Sequence, residues 1–221
     1  MSQPSTVEPS QLTLEDGRYL VKLARRAIEE YVRSRQRIAV PEDAPEKLRA
    51  RGMAFVTIER VARGVKELRG CIGFLQPVSS LLKVVIDAAI AAATEDPRFP
   101  PLTPEELDDI VIEVSILSLP KPVKDPLREV VIGRHGIIVM RGWHSGTLLP
   151  QVPVDHCWDT ETFLAEGCLK AGLAADCWLD PHTKISVYEA VVFYEKEPRG
   201  EVAVRSLVDE YRSRCRWLFE S

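Results

Sequence analysis

The stretch Ile110-Val-Ile-Glu-Val-Ser-Ile-Leu-Ser118 decides the fold class. Ile110, Ile112, Val114 and Ile116 recur at every second position. A period of two puts all four on one side of a strand, against a core. Upstream, Met53 to Glu59 reads as a strand and Val65 to Leu68 as its partner across Arg63-Gly64. Downstream, Gly136 to Met140 is a predicted strand. A turn at Trp143-His-Ser-Gly146 follows, with Thr147 to Leu149 completing a hairpin, and Lys184 to Tyr194 is a long final strand.

Helical periods fill the intervals. Leu14 to Arg35 carries Leu20, Leu23, Ala24, Ala27, Ile28 and Tyr31 on one stripe, with Thr13 as N-cap and Asp16 three residues on. Ser79 or Ser80 caps a second helix to Thr94 that is apolar on nearly every side, so it is predicted to be buried on more than one. Thr103-Pro104-Glu105-Glu106 starts a short helix. Thr160 to Ala171 is a third main helix, stopped by Gly172, and Glu201 to Phe219 reads as a terminal helix. Strands and helices mix without a steady βαβ rhythm. The expected class is therefore α/β of the α+β kind: a mixed or antiparallel sheet with flanking helices, in two lobes forming one compact unit. The lobe boundary is placed near residues 120–128, where prolines cluster. Residues 1–11, polar and with two prolines, read as disordered.

The 221 residues fit one large domain or two small ones. Twenty-nine basic and 33 acidic residues give a net charge of −4, which argues against broad nucleic-acid binding because phosphate contact needs a positive surface. The basic run from Arg18 to Arg37, including Lys22, Arg25, Arg26, Arg33 and Arg35, reads as a solvated helix face; RNA binding through it is the weaker alternative. No apolar run approaches membrane-span length and no signal region opens the chain, so a cytoplasmic protein is expected. Five cysteines (71, 157, 168, 177 and 215) include no CxxC pair, which disfavours a disulfide scaffold or zinc ribbon and leaves room for a single internal bridge. The four histidines share no metal-ligand spacing with the cysteines, and no metal or cofactor is implied. Trp143, Trp158 and Trp178 read as packing anchors.

Leu68-Arg-Gly-Cys-Ile-Gly73 and Asp96-Pro-Arg-Phe-Pro-Pro-Leu102 stand out, the first running from the strand end at Leu68 into a loop punctuated by Gly70, Gly73 and Pro77, the second as a rigid proline-bound loop. Together with His135-Gly-Ile137, Leu149-Pro-Gln-Val152, Trp158 with Phe163-Leu164, Cys168 to Leu173 and Cys177-Trp178, they resemble the AMMECR family over about residues 12–196. That family is named after a human chromosomal region linked to Alport syndrome and elliptocytosis. The resemblance implies a two-lobed α/β fold and no established activity. It also implies partners, since microbial members are associated with or fused to a Memo-type domain and a radical S-adenosylmethionine enzyme.

Two function classes follow. In the favoured one the chain is an accessory or binding component acting with a partner enzyme through a pocket around Leu68–Gly73. In the other it is a cysteine-dependent enzyme on a small anionic substrate, with Cys71 as nucleophile and His135 as its base. Arg69, Gly70, Gly73, Asp96, Arg98 and Gln151 are then the candidate substrate-binding residues. Fixed arginines would clamp the anion and glycines would let it approach. Each has a plainer alternative: Cys71 as a small buried hydrophobe, His135 as an orienting group tied to backbone, and Asp96 with Arg98 as a local pair holding its loop.

Overall fold

The computed structural model describes residues 6–219, and the disorder expected of residues 1–5 lies outside them. The same expectation is corrected for the six that follow. Val7 is buried and donates its N–H to Arg51, and Pro9–Gln11 form a 3-10 turn.

The chain divides into two units. The first holds the residues up to Leu117 together with Val191–Arg205; the second holds Ser118–Ala190 and the residues from Ser206. In the first unit, α1 (Leu14–Ser34) starts at Thr13 with a reciprocal capping box to Asp16. The antiparallel pair β1 (Met53–Ala62) and β2 (Val65–Gly73) follows, then α2 (Leu81–Thr94), capped by Ser80, and β3 (Ile110–Leu117). The second unit contains the two-residue β4 (Lys121–Pro122), α3 (Pro126–Glu129), the hairpin of β5 (His135–Arg141) and β6 (His144–Leu148), α4 (Gln151–Asp155) and α5 (Thr160–Lys170). Strand β7 (Lys184–Glu195) begins in the second unit and ends in the first. β8 (Val202–Val204) pairs with its end, and α6 (Leu207–Arg214) belongs to the second unit.

The first unit's strands run in the order β2-β1-β3-β7, and the second's in the order β6-β5-β7 with β4 on β7. The strand pairs β1–β2, β1–β3, β4–β7, β5–β6, β5–β7 and β7–β8 are antiparallel. The main core lies in the first unit. The inward residues of α1 and α2 meet Ala54, Val56 and Ile58 of β1 and the four alternating residues of β3. Each fully buried Leu or Ile there contributes roughly 1.5–3 kcal/mol.

Several expectations need correction. β2 does not stop at Leu68; it continues to Gly73, so the expected glycine loop is strand. The terminal helix is broken: Val202–Val204 extend the sheet before α6, and a 3-10 turn at Arg216–Leu218 follows it. Tertiary pairing with β7 outweighs the local helical pattern there. Strand β3 is buried on both sides, Glu113 and Ser115 included. Arg25 is not on a solvated face. Its Nε donates to Glu195 Oε1 at 2.7 Å and another guanidinium nitrogen to Ile110 O at 2.8 Å, while Glu195 Oε2 accepts Ile112 N–H. Trp143 is no packing anchor; it sits fully exposed at the tip of the β5–β6 hairpin. The cysteines make two bridges rather than at most one, Cys157–Cys215 and Cys168–Cys177, both in the second unit. Cys71 is the odd cysteine and is free.

Candidate functional site

Cys71 sits in the last third of β2, opposite Thr57 of β1. Its N–H points away from β1 and is taken by Asp96 Oδ2 at 2.9 Å. A carboxylate thus stands where the next strand of the sheet would offer a carbonyl. Asp96 is itself buried, and Arg98 holds it in a two-point pair, Nε to Oδ1 at 2.9 Å and a terminal nitrogen to Oδ2 at 2.7 Å. The Arg98 guanidinium and the N–H groups of Cys71 and Arg98 hold the Asp96 carboxyl well below the usual carboxylate range.

Arg69 is the extra residue of a β-bulge, since Ile58 pairs with Gly70 and Glu59 with Leu68. The bulge re-aims its side chain. Arg69 Nε donates to Glu106 Oε1 at 2.8 Å and a terminal nitrogen to Pro100 O at 2.9 Å. Burial works against ionisation of Glu106, but the Arg69 guanidinium and the Thr103 N–H outweigh it and keep the carboxyl low. The two stand-out motifs therefore clasp each other: Asp96 reaches into the strand, and Arg69 reaches out to the proline loop. Phe99 lies between, with the Arg98 and Arg69 guanidiniums 5.4 and 5.9 Å from its ring centre.

The glycines serve the same closeness. A Cβ on Gly70 would come within 2.1 Å of Ala92 O in α2, and one on Gly73 within 2.2 Å of the Phe55 ring. The room each leaves is filled by the protein's own atoms.

On the side of the sheet turned away from α1 and α2, the thiol meets polar neighbours. Thr57 Oγ1 donates to Cys71 Sγ at 3.2 Å, Thr57 stands opposite Glu113 on β3, and Arg205 reaches Glu113 Oε2 at 3.4 Å. Cys71, Thr57, Glu113 and Arg205 thus form one polar row across the sheet. Burial pushes the Cys71 thiol above its ordinary value of 9.0; Glu113 and Asp96 push the same way, against Thr57 and Arg98. The resting group is a neutral, half-buried thiol. Sequence reasoning missed Thr57 and Glu113. Their signal was present: each is a polar residue between two apolar ones in a predicted strand, Thr57 between Val56 and Ile58 and Glu113 between Ile112 and Val114.

His135 and Gln151 lie in the second unit, while Cys71, Arg69, Gly70, Gly73, Asp96 and Arg98 lie in the first. His135 opens β5, and its Nδ1 accepts the Val131 N–H at 3.1 Å, which leaves the proton on Nε2. Burial lowers its pKa and the Arg134 charge adds to this, so the ring is neutral at neutral pH. Gln151 is buried at the start of α4. Among the described residues no group of three or more His, Cys, Asp or Glu side chains is placed to hold a metal ion, and no helix is long and apolar enough to cross a membrane.

The model of the AMMECR1 family matches residues 21–193, which include β1, β2, the proline loop and the β5–β6 hairpin. The chain belongs to the AMMECR1 family. A protein of Thermococcus gammatolerans is 52% identical over 199 residues, covering 88% of this chain and 97% of its own. Another, of Thermofilum pendens, is 48% identical over 208 residues, covering 89% and 98%. The crystal structure of the uncharacterised protein PH0010 from Pyrococcus horikoshii superposes with a TM-score of 0.83 at 47% identity, covering 86% of this chain and 97% of that one. AMMECR1 membership thus comes with the α/β fold and with relatives of no stated activity.

Proposed function

We propose that this AMMECR1 protein is a binding component that works with a partner enzyme through the surface around Cys71. One observation carries the reading: the charges that an enzyme would aim at a substrate there are spent on each other. Arg98 is committed to Asp96, Arg69 to Glu106 and the proline loop, and the thiol is held neutral. A neutral thiol is a poor nucleophile, whereas a half-buried, mixed-polarity strand surface with pre-paired charges suits recognition, since docking need not first order it. The partner expected from the family resemblance is a Memo-type or radical S-adenosylmethionine protein. The competing reading is a cysteine enzyme on a small anionic substrate, toward which Thr57 and Arg98 pull the thiol.

Two measurements separate them. Iodoacetamide labelling of Cys71, the free cysteine, should stay slow until the pH passes about 9; fast labelling at pH 7 sinks the binding reading. Titration against purified Memo-type and radical S-adenosylmethionine proteins should show a complex that survives Cys71→Ser and is lost in Thr57→Arg, with folding checked by circular dichroism. Turnover of an anionic substrate that disappears in Cys71→Ser would establish the enzyme instead.

A further inference from the structure

The second unit carries a cleft that is separate from the Cys71 surface in residues and in chemistry. It has a volume of about 740 Å³, within the few-hundred to thousand Å³ range of small-molecule sites. Val131, Ile132, Val208, Tyr211 and Leu218 give it an apolar lining. Trp217 and Phe219 also line it, 63% and 59% exposed, an unfavourable arrangement for two large aromatic side chains facing water. The wall is rigid where it counts. Cys215 is bridged to Cys157, the Tyr211 hydroxyl donates to Trp158 O at 2.7 Å, and the Phe219 ring packs edge-on against Tyr211.

Two charged residues line it. Asp159 stays ionised, but its charge is answered by the N-terminus of α5, where its Oδ1 accepts the Thr162 N–H at 2.8 Å as the N-cap. Arg212 is exposed and has no ion-pair partner among the described residues. Arg216 lies one residue before Trp217 and is likewise exposed and without an ion pair among the described residues. An apolar, aromatic cleft whose uncommitted charge is a guanidinium complements one chemistry: an apolar body carrying an anionic head.

We infer that this cleft binds a small amphipathic carboxylic acid, its aromatic or branched aliphatic body between Val131, Tyr211 and Trp217 and its carboxylate on Arg212. The site takes a ligand of its own and does not depend on what docks at Cys71.

The probe is 1-anilinonaphthalene-8-sulfonate, an aromatic anion, followed by its fluorescence on the full-length oxidised protein. The expected result is saturable one-to-one binding, weakened about tenfold by Arg212→Gln, as loss of a charge-assisted contact worth about 1.4 kcal/mol requires, and abolished by Trp217→Ala. Both positions are exposed, so the variants should melt with the wild type, and Arg18→Gln in the first unit should change nothing. Phenylpropionate should displace the probe while its neutral amide does not. Equal displacement by acid and amide, or indifference to Arg212→Gln, makes the cleft a mere apolar patch and overturns the proposal; so does absence of saturable binding. A variant ending at Phe219 must bind as the full chain does. Binding that appears only after that truncation would assign the cleft to the chain's own terminal Glu220 and Ser221 and overturn the proposal too.

Discussion

The two units of this molecule stay folded by different means. The first has the large apolar core, two long helices on one side of its sheet, and buried ion pairs; its one cysteine is free. The second has a smaller buried interior and both disulfides, one closing a loop across 58 residues and the other across 9. Small domains bury a lower fraction of their surface and lean on cross-links. The first unit can therefore leave Cys71 as a reduced thiol in a polar row, while the second spends its cysteines on pinning the segment that carries Trp217.

The sharpest way to break this contrast is Arg25→Met. Removing the guanidinium strands the buried Glu195 carboxylate, and breaking such a pair costs about 3–5 kcal/mol. Urea denaturation with hydrogen exchange should locate the loss in the first unit; a loss confined to the second would refute the division. Next comes Cys157→Ser. On the loop-entropy model it should cost about 4 kcal/mol, against about 2.5 kcal/mol for Cys168→Ser. Reducing agent should likewise loosen the second unit while the amides of α2 stay protected. If α2 exchanges as fast as α6 under reduction, the units are not independently stabilised.

The smallest expected effect is Asp96→Asn, about 1–2 kcal/mol at pH 7, because the partner Arg98 is half exposed and solvent screens the pair. Its pH dependence sharpens the test. The folded pKa of Asp96 lies below the ordinary 3.8, so its contribution is complete above that value and fades as the pH falls below it. The gap between wild type and Asn variant should close in acid. A gap unchanged from pH 7 to pH 3 would mean that the carboxylate charge is not what closes the edge of β2.

Much of the fold was legible in local pattern. The period of two in Ile110–Ile116 found β3, and a cap at Thr13 and one at Ser79 or Ser80 fixed both long helices to within a residue or two. The failures share one cause. Gly70–Gly73 looks like a loop because glycines weaken a strand, yet here they admit Ala92 O and the Phe55 ring. Val202–Val204 looks helical until β7 offers its edge. Arg25 looks solvated until Glu195, 170 positions away, meets it. The site was legible as residue types: both motifs, Cys71 and its neighbouring arginines were visible. Their pairing was not, since Asp96 with Cys71 N–H and Arg69 with Glu106 are contacts over 25 and 37 positions.

The sequence by itself determined the α/β class, the caps, the alternating strands and the motifs that mark the family, because these depend on neighbours within a turn or a hairpin. Only the tertiary structure decided which charges are spent, that the Cys71 thiol is held neutral, which cysteines bridge, and that an aromatic cleft ends in an uncommitted arginine. Charge state, burial and cavity shape are sums over contacts far apart along the chain, and no local period carries them.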